Sequence, residues 1–174
     1  MKKLVLVGFV SALLAGCTGT VFKPIDYTMK SKFNASQAEK QLKQGTANIT
    51  GSAFLKQRGG SVVTCAGEEV VLVPYTDYAN EKMSLIYGNT EKGFHNSKST
   101  QYKLSGEDPE YRKFVKFTTC DAQGKFSFNN LADGTFFITT KVQWSVHYQN
   151  SEGGYLMQKV SLKKGENKDI VLSY

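Results

Sequence analysis

The sequence predicts an all-β domain: a sandwich of about seven strands with a short helix, set behind an export segment and a tether. Three observations carry this. Beyond residue 46, apolar residues recur mainly with period two. Clusters of Gly, Asn and Asp break these runs about every ten residues, the spacing of turns between short strands. The 174 residues, 40% hydrophobic and 12% aromatic, supply one ordinary core, too apolar for a disordered chain and too short for two large domains.

The chain opens with Lys2 and Lys3, followed by an apolar run from Leu4 to Leu14 broken only by Gly8 and Ser11, and then Ala15 and Gly16. This pattern reads as a secretory signal peptide over residues 1–16. The run is about half the roughly 20 residues a spanning helix needs. Leu14-Ala15-Gly16-Cys17 resembles the lipobox of bacterial lipoproteins. The resemblance implies that Cys17 receives a thioether-linked diacylglycerol, that cleavage falls before it, and that the new amine takes a further acyl chain such as palmitate. At about 0.8 kcal/mol per buried methylene, three chains hold a protein firmly to a bilayer. Thr18 stands where, by the same resemblance, an aspartate would favour the inner membrane. The expected location is therefore the outer membrane, with the domain facing the periplasm or the cell surface and the lipid on Cys17 as the one covalent group.

Residues 17–46 are polar and basic and read as a lipidated tether. Within them Ser36-Gln37-Ala38-Glu39 fits a capping box and Gly45 a helix stop. A helix of two to three turns there either packs on the domain or frays. Removal of Lys2 and Lys3 lowers the Lys and Arg count from 22 to 20 against 15 acidic residues, so the net charge falls from +7 to +5. The remaining lysines are dispersed: Lys30, Lys32, Lys40 and Lys43 come after the anchor, while Lys159, Lys163, Lys164 and Lys168 lie near the C-terminus. Dispersed charge on an exported chain argues against nucleic acid as a partner. The membrane and an envelope protein are the expected ones.

The domain proper spans residues 47–174. Alternation begins at Ile49, Gly51, Ala53 and Leu55 and stops at Arg58-Gly59-Gly60. Val70 to Tyr75 is a nearly continuous apolar strand. Thr76 to Tyr87 invites a helix, with Thr76 or Asp77 as cap and Gly88 as stop. Residues 88–112 then form a long polar insertion of the kind that is often functional. Tyr87, Phe94, Tyr102 and Tyr111, in or beside it, offer stacking faces for a glycan. Further strands are expected at 114–119, 125–128, 155–162 and 169–172. The longest puts Phe136, Ile138, Thr140, Val142 and Trp144 on a buried face, with Phe137 and His147 on the polar one. Lys163-Lys164-Gly165-Glu166-Asn167 reads as the turn of a final hairpin.

With Cys17 lipidated, Cys65 and Cys120 are the remaining thiols, and an oxidising compartment makes their disulfide the simplest outcome. It would close a loop of about 56 residues, contributing on the order of 4 kcal/mol by loop entropy. A zinc site from Cys65, Cys120, His95 and His147 is the rival arrangement, but no Cys-x-x-Cys or His-x3-5-His spacing supports it.

Residues 120–138, Cys-Asp-Ala-Gln-Gly-Lys-Phe-Ser-Phe-Asn-Asn-Leu-Ala-Asp-Gly-Thr-Phe-Phe-Ile, combine an Asp/Gly turn, an alternating strand, a Leu and Gly corner and an aromatic strand start. This stretch resembles the carboxypeptidase regulatory-like domains, sandwiches of the transthyretin (prealbumin) type. The resemblance implies a transthyretin-like β-sandwich and an interaction or structural module without catalytic residues. Phe136 stands where members of that family commonly place tyrosine. The chain itself contains no Gly-x-Ser-x-Gly elbow, phosphate loop or His-Glu-x-x-His helix. The expectation is a non-enzymatic envelope protein that docks a protein partner, with glycan binding through the 88–112 aromatics as the alternative. Replacement of Cys17 by alanine should leave the signal peptide uncut and release no lipid-modified form, as read by mass analysis of the membrane fraction; wild-type processing of Cys17→Ala would exclude the lipoprotein assignment.

Overall fold

The computed structural model describes residues 23–146 and 150–174; the expected signal peptide, Cys17 and His147 lie outside the described residues. In chain order the elements are β1 (Ile25–Thr28), α1 (Ala35–Leu42), β2 (Gln44–Lys56), β3 (Val62–Thr64), β4 (Glu69–Pro74), α2 (Asp77–Tyr87), β5 (Lys92–Asn96), β6 (Tyr102–Ser105), β7 (Lys116–Thr119), β8 (Lys125–Leu131), β9 (Gly134–Val146), β10 (Asn150–Leu162) and β11 (Asn167–Leu172). Five strands form one sheet in the order β5-β10-β9-β4-β7. The second sheet is built on β2, which pairs β11 in parallel and β8 and β3 antiparallel. β1 and β6 form a separate parallel ribbon.

The alternating residues meet between the sheets as expected: Ile49 and Ala53 of β2, Phe126 and Phe128 of β8, and Phe136 and Ile138 of β9 share one core. The turn before β8 and the corner before β9 obey their local chemistry. The Asp121 carboxylate accepts the Gln123 and Lys125 amides at 2.9 and 2.8 Å, Gly124 takes a φ of 76°, and Leu131 is buried at the end of the sandwich.

Phe137 departs from expectation. Like its neighbour Phe136 it is 0% exposed, although the two rings point to opposite faces of the sheet. A second core lies on the outer face, where Val73, Phe137 and Met157 are covered by Tyr78, Ala79 and Met83 of α2. α2 is capped as its sequence predicts: the Thr76 hydroxyl accepts the Ala79 amide at 3.1 Å, and Gly88 ends the helix at a φ of 66°. Residues 25–46 complete the cover. Met29 is buried in the second core, and Phe33 packs edge-on against Tyr78 and Tyr111 at 5.9 and 5.6 Å. The packed domain thus takes in most of the segment read as a tether. α1 starts two residues earlier than the predicted box, because Asn34 caps it by accepting the Gln37 amide at 3.0 Å. Gly45 lies within β2 rather than ending α1; a Cβ there would come within 2.1 Å of the Leu131 carbonyl oxygen.

The expected final hairpin is a crossover. β10 pairs β9 along its length and β5 over Gly154–Gln158, and β11 joins neither of its edges. The turn at Lys163–Asn167 instead carries the chain to the other sheet, where β11 pairs with β2. The 88–112 insertion is also structured: β5 joins the edge of the larger sheet, and β6 pairs β1.

A single carboxylate fixes the N-terminal segment. Glu81 on α2 accepts the Tyr27 hydroxyl at 2.9 Å and the Lys30 and Ser31 amides at 2.8 and 2.7 Å. Partial burial pushes its carboxyl up, but these bonds together with the Ser31 hydroxyl outweigh that and hold it down at about 2, from an ordinary 4.5. Because the folded form favours the ionised carboxylate, its contribution is complete above about pH 4.5 and is lost as pH falls toward 2. Amide exchange of residues 25–31 should therefore accelerate through that window, ahead of the β9 and β10 amides.

Cys65 and Cys120 are joined, with 5.7 Å between their Cα atoms and a sequence separation of 55. The bond lies beside the Glu69–Thr119 pair and pins the four-residue edge strand β7. The Cys65→Ser/Cys120→Ser chain should lose on the order of 4 kcal/mol of unfolding free energy, measured by urea denaturation against the oxidised parent.

Candidate functional site

The register of the larger sheet puts Phe117, Val71, Thr139, Met157 and Gly93 in one row across its outer face. Lys141, Tyr155 and His95 form the next row. α2 covers Met157 and Gly93 but stops short of the rest. Phe117 is 56% exposed and Tyr155 46% exposed, which is unusual for rings on a sheet face whose other half is a sealed core.

The uncovered rows form a trough bounded on one side by α2. It runs over four inter-strand steps, about 19 Å, and consists of three adjoining concavities of about 360, 220 and 300 Å³. The first is lined by Phe117, Val71, Thr139 and Glu69 under Lys82 and Arg112. The second continues over Glu69, Thr139 and Lys141 to the Tyr155 ring. The third, on the far side of Tyr155, is walled by Ile86 and Tyr87 of α2, His95 of β5, and Gln101, Tyr102 and Leu104 at β6. Gly93 lets α2 sit low here, since a Cβ on it would come within 2.5 Å of the Tyr87 Cβ.

The trough carries few free charges. Lys141 pairs with Glu68 at 3.3 Å. Lys82 pairs with Glu107 and lies 5.0 Å from the centre of the Tyr111 ring. What remains is Glu69 and Arg112 at one end, with ring faces and uncharged hydrogen-bonding groups along the rest. It offers recognition without a nucleophile held against a base.

Of the four aromatics that the sequence marks as stacking candidates, three border the trough. Tyr87 and Tyr102 meet in its third part, and burial pushes the Tyr87 phenol above its ordinary range. Tyr111 borders the first part but packs mostly into the second core, at 9% exposure, and burial raises its phenol as well. Phe94 turns to the inner face of β5, where it stacks on Tyr174 at 5.0 Å. The two most exposed rings of the trough, Tyr155 and Phe117, are not among those four. The signal for Tyr155 is parity: Leu156, Val160 and Leu162 face the core, so Tyr155 must face outward.

A larger concavity of about 580 Å³ lies beside the smaller sheet, lined by hydroxyls of Thr50, Ser52 and Ser127 and by Asp121 and Asp169. Its ring, Phe126, is buried. Asp169 is bonded to Thr50 at 2.9 Å and Asp121 to its own turn, so this surface presents neither a stacking face nor an unengaged carboxylate. Among the described residues, no group of three or more His, Cys, Asp or Glu side chains is placed to hold a metal ion, and no helix is long and apolar enough to cross a membrane.

No protein-family model and no curated protein sequence matches the chain. Solved structures do. A "putative carbohydrate binding protein" from Pseudomonas aeruginosa superimposes with a TM-score of 0.69 at 20% identity, over 83% of this chain and 99% of that one. The shaft pilin SpaA of Lactobacillus rhamnosus GG matches at 16% identity over 72% of this chain and 46% of its own, with a TM-score of 0.29. The first likeness shows that the chain shares its fold, from end to end of that neighbour, with a solved bacterial protein.

Proposed function

We propose that this chain is a non-catalytic, lipid-anchored protein of the outer membrane whose β-sandwich binds an envelope glycan in the trough. The observation that carries the reading is Tyr155. Its half-exposed ring sits between two concavities and is flanked by Lys141, Thr139, Glu69 and His95. A pyranose has an apolar face of C–H groups and a rim of hydroxyls. A tyrosine face bordered by hydrogen-bonding polar groups, the Glu69 carboxylate among them, satisfies both at once, with little conformational entropy to lose. The carbohydrate-binding assignment of the Pseudomonas aeruginosa neighbour supports the same class of ligand.

The resemblance of residues 120–138 to carboxypeptidase regulatory-like domains supports a binding rather than a chemical role. The signal sequence and Cys17 supply the location. Seven residues lie between Cys17 and Ile25, so an anchor there holds the domain within about 28 Å of the bilayer surface. A protein partner added at a sheet edge is the weaker reading. β3 and β7 are three and four residues long and β7 is pinned by the disulfide, so strand addition there has little length; β11 and β8, six and seven residues long and each paired, among the described residues, only with β2, are the edges it would need.

The test is retention of the mature protein on immobilised peptidoglycan fragments and on immobilised lipopolysaccharide core oligosaccharide. One of the two should retain the parent. Tyr155→Ala should weaken that retention at least tenfold, about 1.4 kcal/mol, with an unchanged melting temperature. Failure of the parent to bind either, with recovery of a single envelope protein on crosslinking, would replace this reading by the protein-docking one.

A further inference from the structure

We infer that β1, the strand nearest Cys17 in the chain, is a structural part of the glycan site: it positions β6, which forms the third wall of the pocket beside Tyr155. The inference rests on the glycan reading above and adds what builds the site.

Gln101, Tyr102 and Leu104 close that pocket opposite the sheet. β6 pairs with no strand of either sheet; among the described residues its one strand partner is β1. The four register pairs run from Ile25–Tyr102 to Thr28–Ser105. At either end the ribbon is closed by the Ile25 amide donating to the Gln101 carbonyl at 2.9 Å and the Met29 amide to the Ser105 carbonyl at 3.0 Å. The side-chain bonds of Gln101 reach only Ser97 and Ser99 in its own loop, so they do not tie the wall to the sheet.

A parallel ribbon of two short strands has little stability of its own in water. This one is held by its attachments to the second core and α2: Met29 is buried in that core, and Tyr27, Lys30 and Ser31 donate three bonds to Glu81. Glu81 touches no pocket residue in these bonds. It is a positioning residue, acting through β1 and then β6 on Tyr102. Loss of that carboxylate should free β1, loosen β6 and open the pocket on one side, while the two sheets and the disulfide stay as they are.

The experiment uses the full mature chain and, as probe, whichever of the two immobilised fragments the parent retains. In Glu81→Ala, amide exchange of residues 25–31 and 102–105 should rise together and retention should fall at least tenfold. Glu81→Gln, which keeps one acceptor oxygen, should fall between. Thr28→Cys with Ser105→Cys, added to Glu81→Ala, should form a disulfide across the ribbon, because the two native hydroxyls are 2.9 Å apart; it should restore both protection and retention. Tyr155→Ala is the contrasting control, losing retention with normal exchange in the ribbon. Faster exchange with full retention in Glu81→Ala would overturn the inference, as would unchanged exchange in that variant, or a lock that restores protection without retention. A parent that retains neither fragment fails the glycan reading instead.

Discussion

The architecture depends on the start of β9, where consecutive rings are buried on opposite faces of one sheet. Phe136 enters the core between the sheets and Phe137 the core beneath α2. Successive side chains of a strand must point in opposite directions, so a pair of buried phenylalanines requires the sheet to be covered twice. Each buried ring is worth roughly 1.5–3 kcal/mol relative to exposure. That gain is realised only if something apolar lies over each. The second sheet covers the inner face completely. The outer face has one helix of 11 residues, and this shortage shapes the rest of the molecule.

One consequence is the recruitment of the N-terminal segment. α2 covers Val73, Phe137 and Met157 but leaves the flank of Tyr78 open, and Met29, Phe33 and Tyr111 close it. The other consequence is the trough. Beyond the reach of α2 the outer face changes in kind: Val71 and Thr139 are half-buried, and Tyr155 and Phe117 stay in water. A sheet face that is core at one end and wet at the other provides floor, wall and ring faces for a ligand without any strained loop. The smaller sheet has no such boundary, and its outward residues along β2 and β11 satisfy one another, as Thr50 does with Asp169.

The seven expected strands all exist, as β2, β4 and β7 to β11: most are long or alternating enough for period two to show, β4 shows as an apolar run, and the four-residue β7 is the end of the longer run expected at 114–119. The four additional strands, β1, β3, β5 and β6, are three to five residues long, and runs that short hold no legible period. α2 is legible from its two caps and the disulfide from the count of thiols. The misread elements share a different cause. The turn at Lys163–Asn167 is sound locally, with Gly165 at a φ of 74°, but the choice of β2 over β10 as partner of β11 belongs to the packing of both sheets, where Ile170 and Leu172 are buried. Alternation assigns Phe137 to water only if one face of the sheet is wet, and here α2 covers that face. In the site, Tyr155 is recoverable from the parity of β10, whereas Glu81 gives no local signal at all: its partners lie 50 to 54 residues earlier.

That separation explains why the site and the anchor end of the chain are built together. β6 has to stand over the outer face of the larger sheet, yet among the described residues it pairs with no strand of that sheet. It needs a partner strand from elsewhere. The residues ahead of α1 are the remaining extended stretch near it, and they are already drawn to α2 by the uncovered flank of the second core. Burial of Met29 brings β1 within pairing distance of β6, and the Glu81 carboxylate fixes its height along α2. The same apolar deficit that leaves the trough open therefore also supplies its third wall, and it does so with the segment just after Cys17. The anchor proposed at Cys17 would therefore place the trough at the tethered end of the domain.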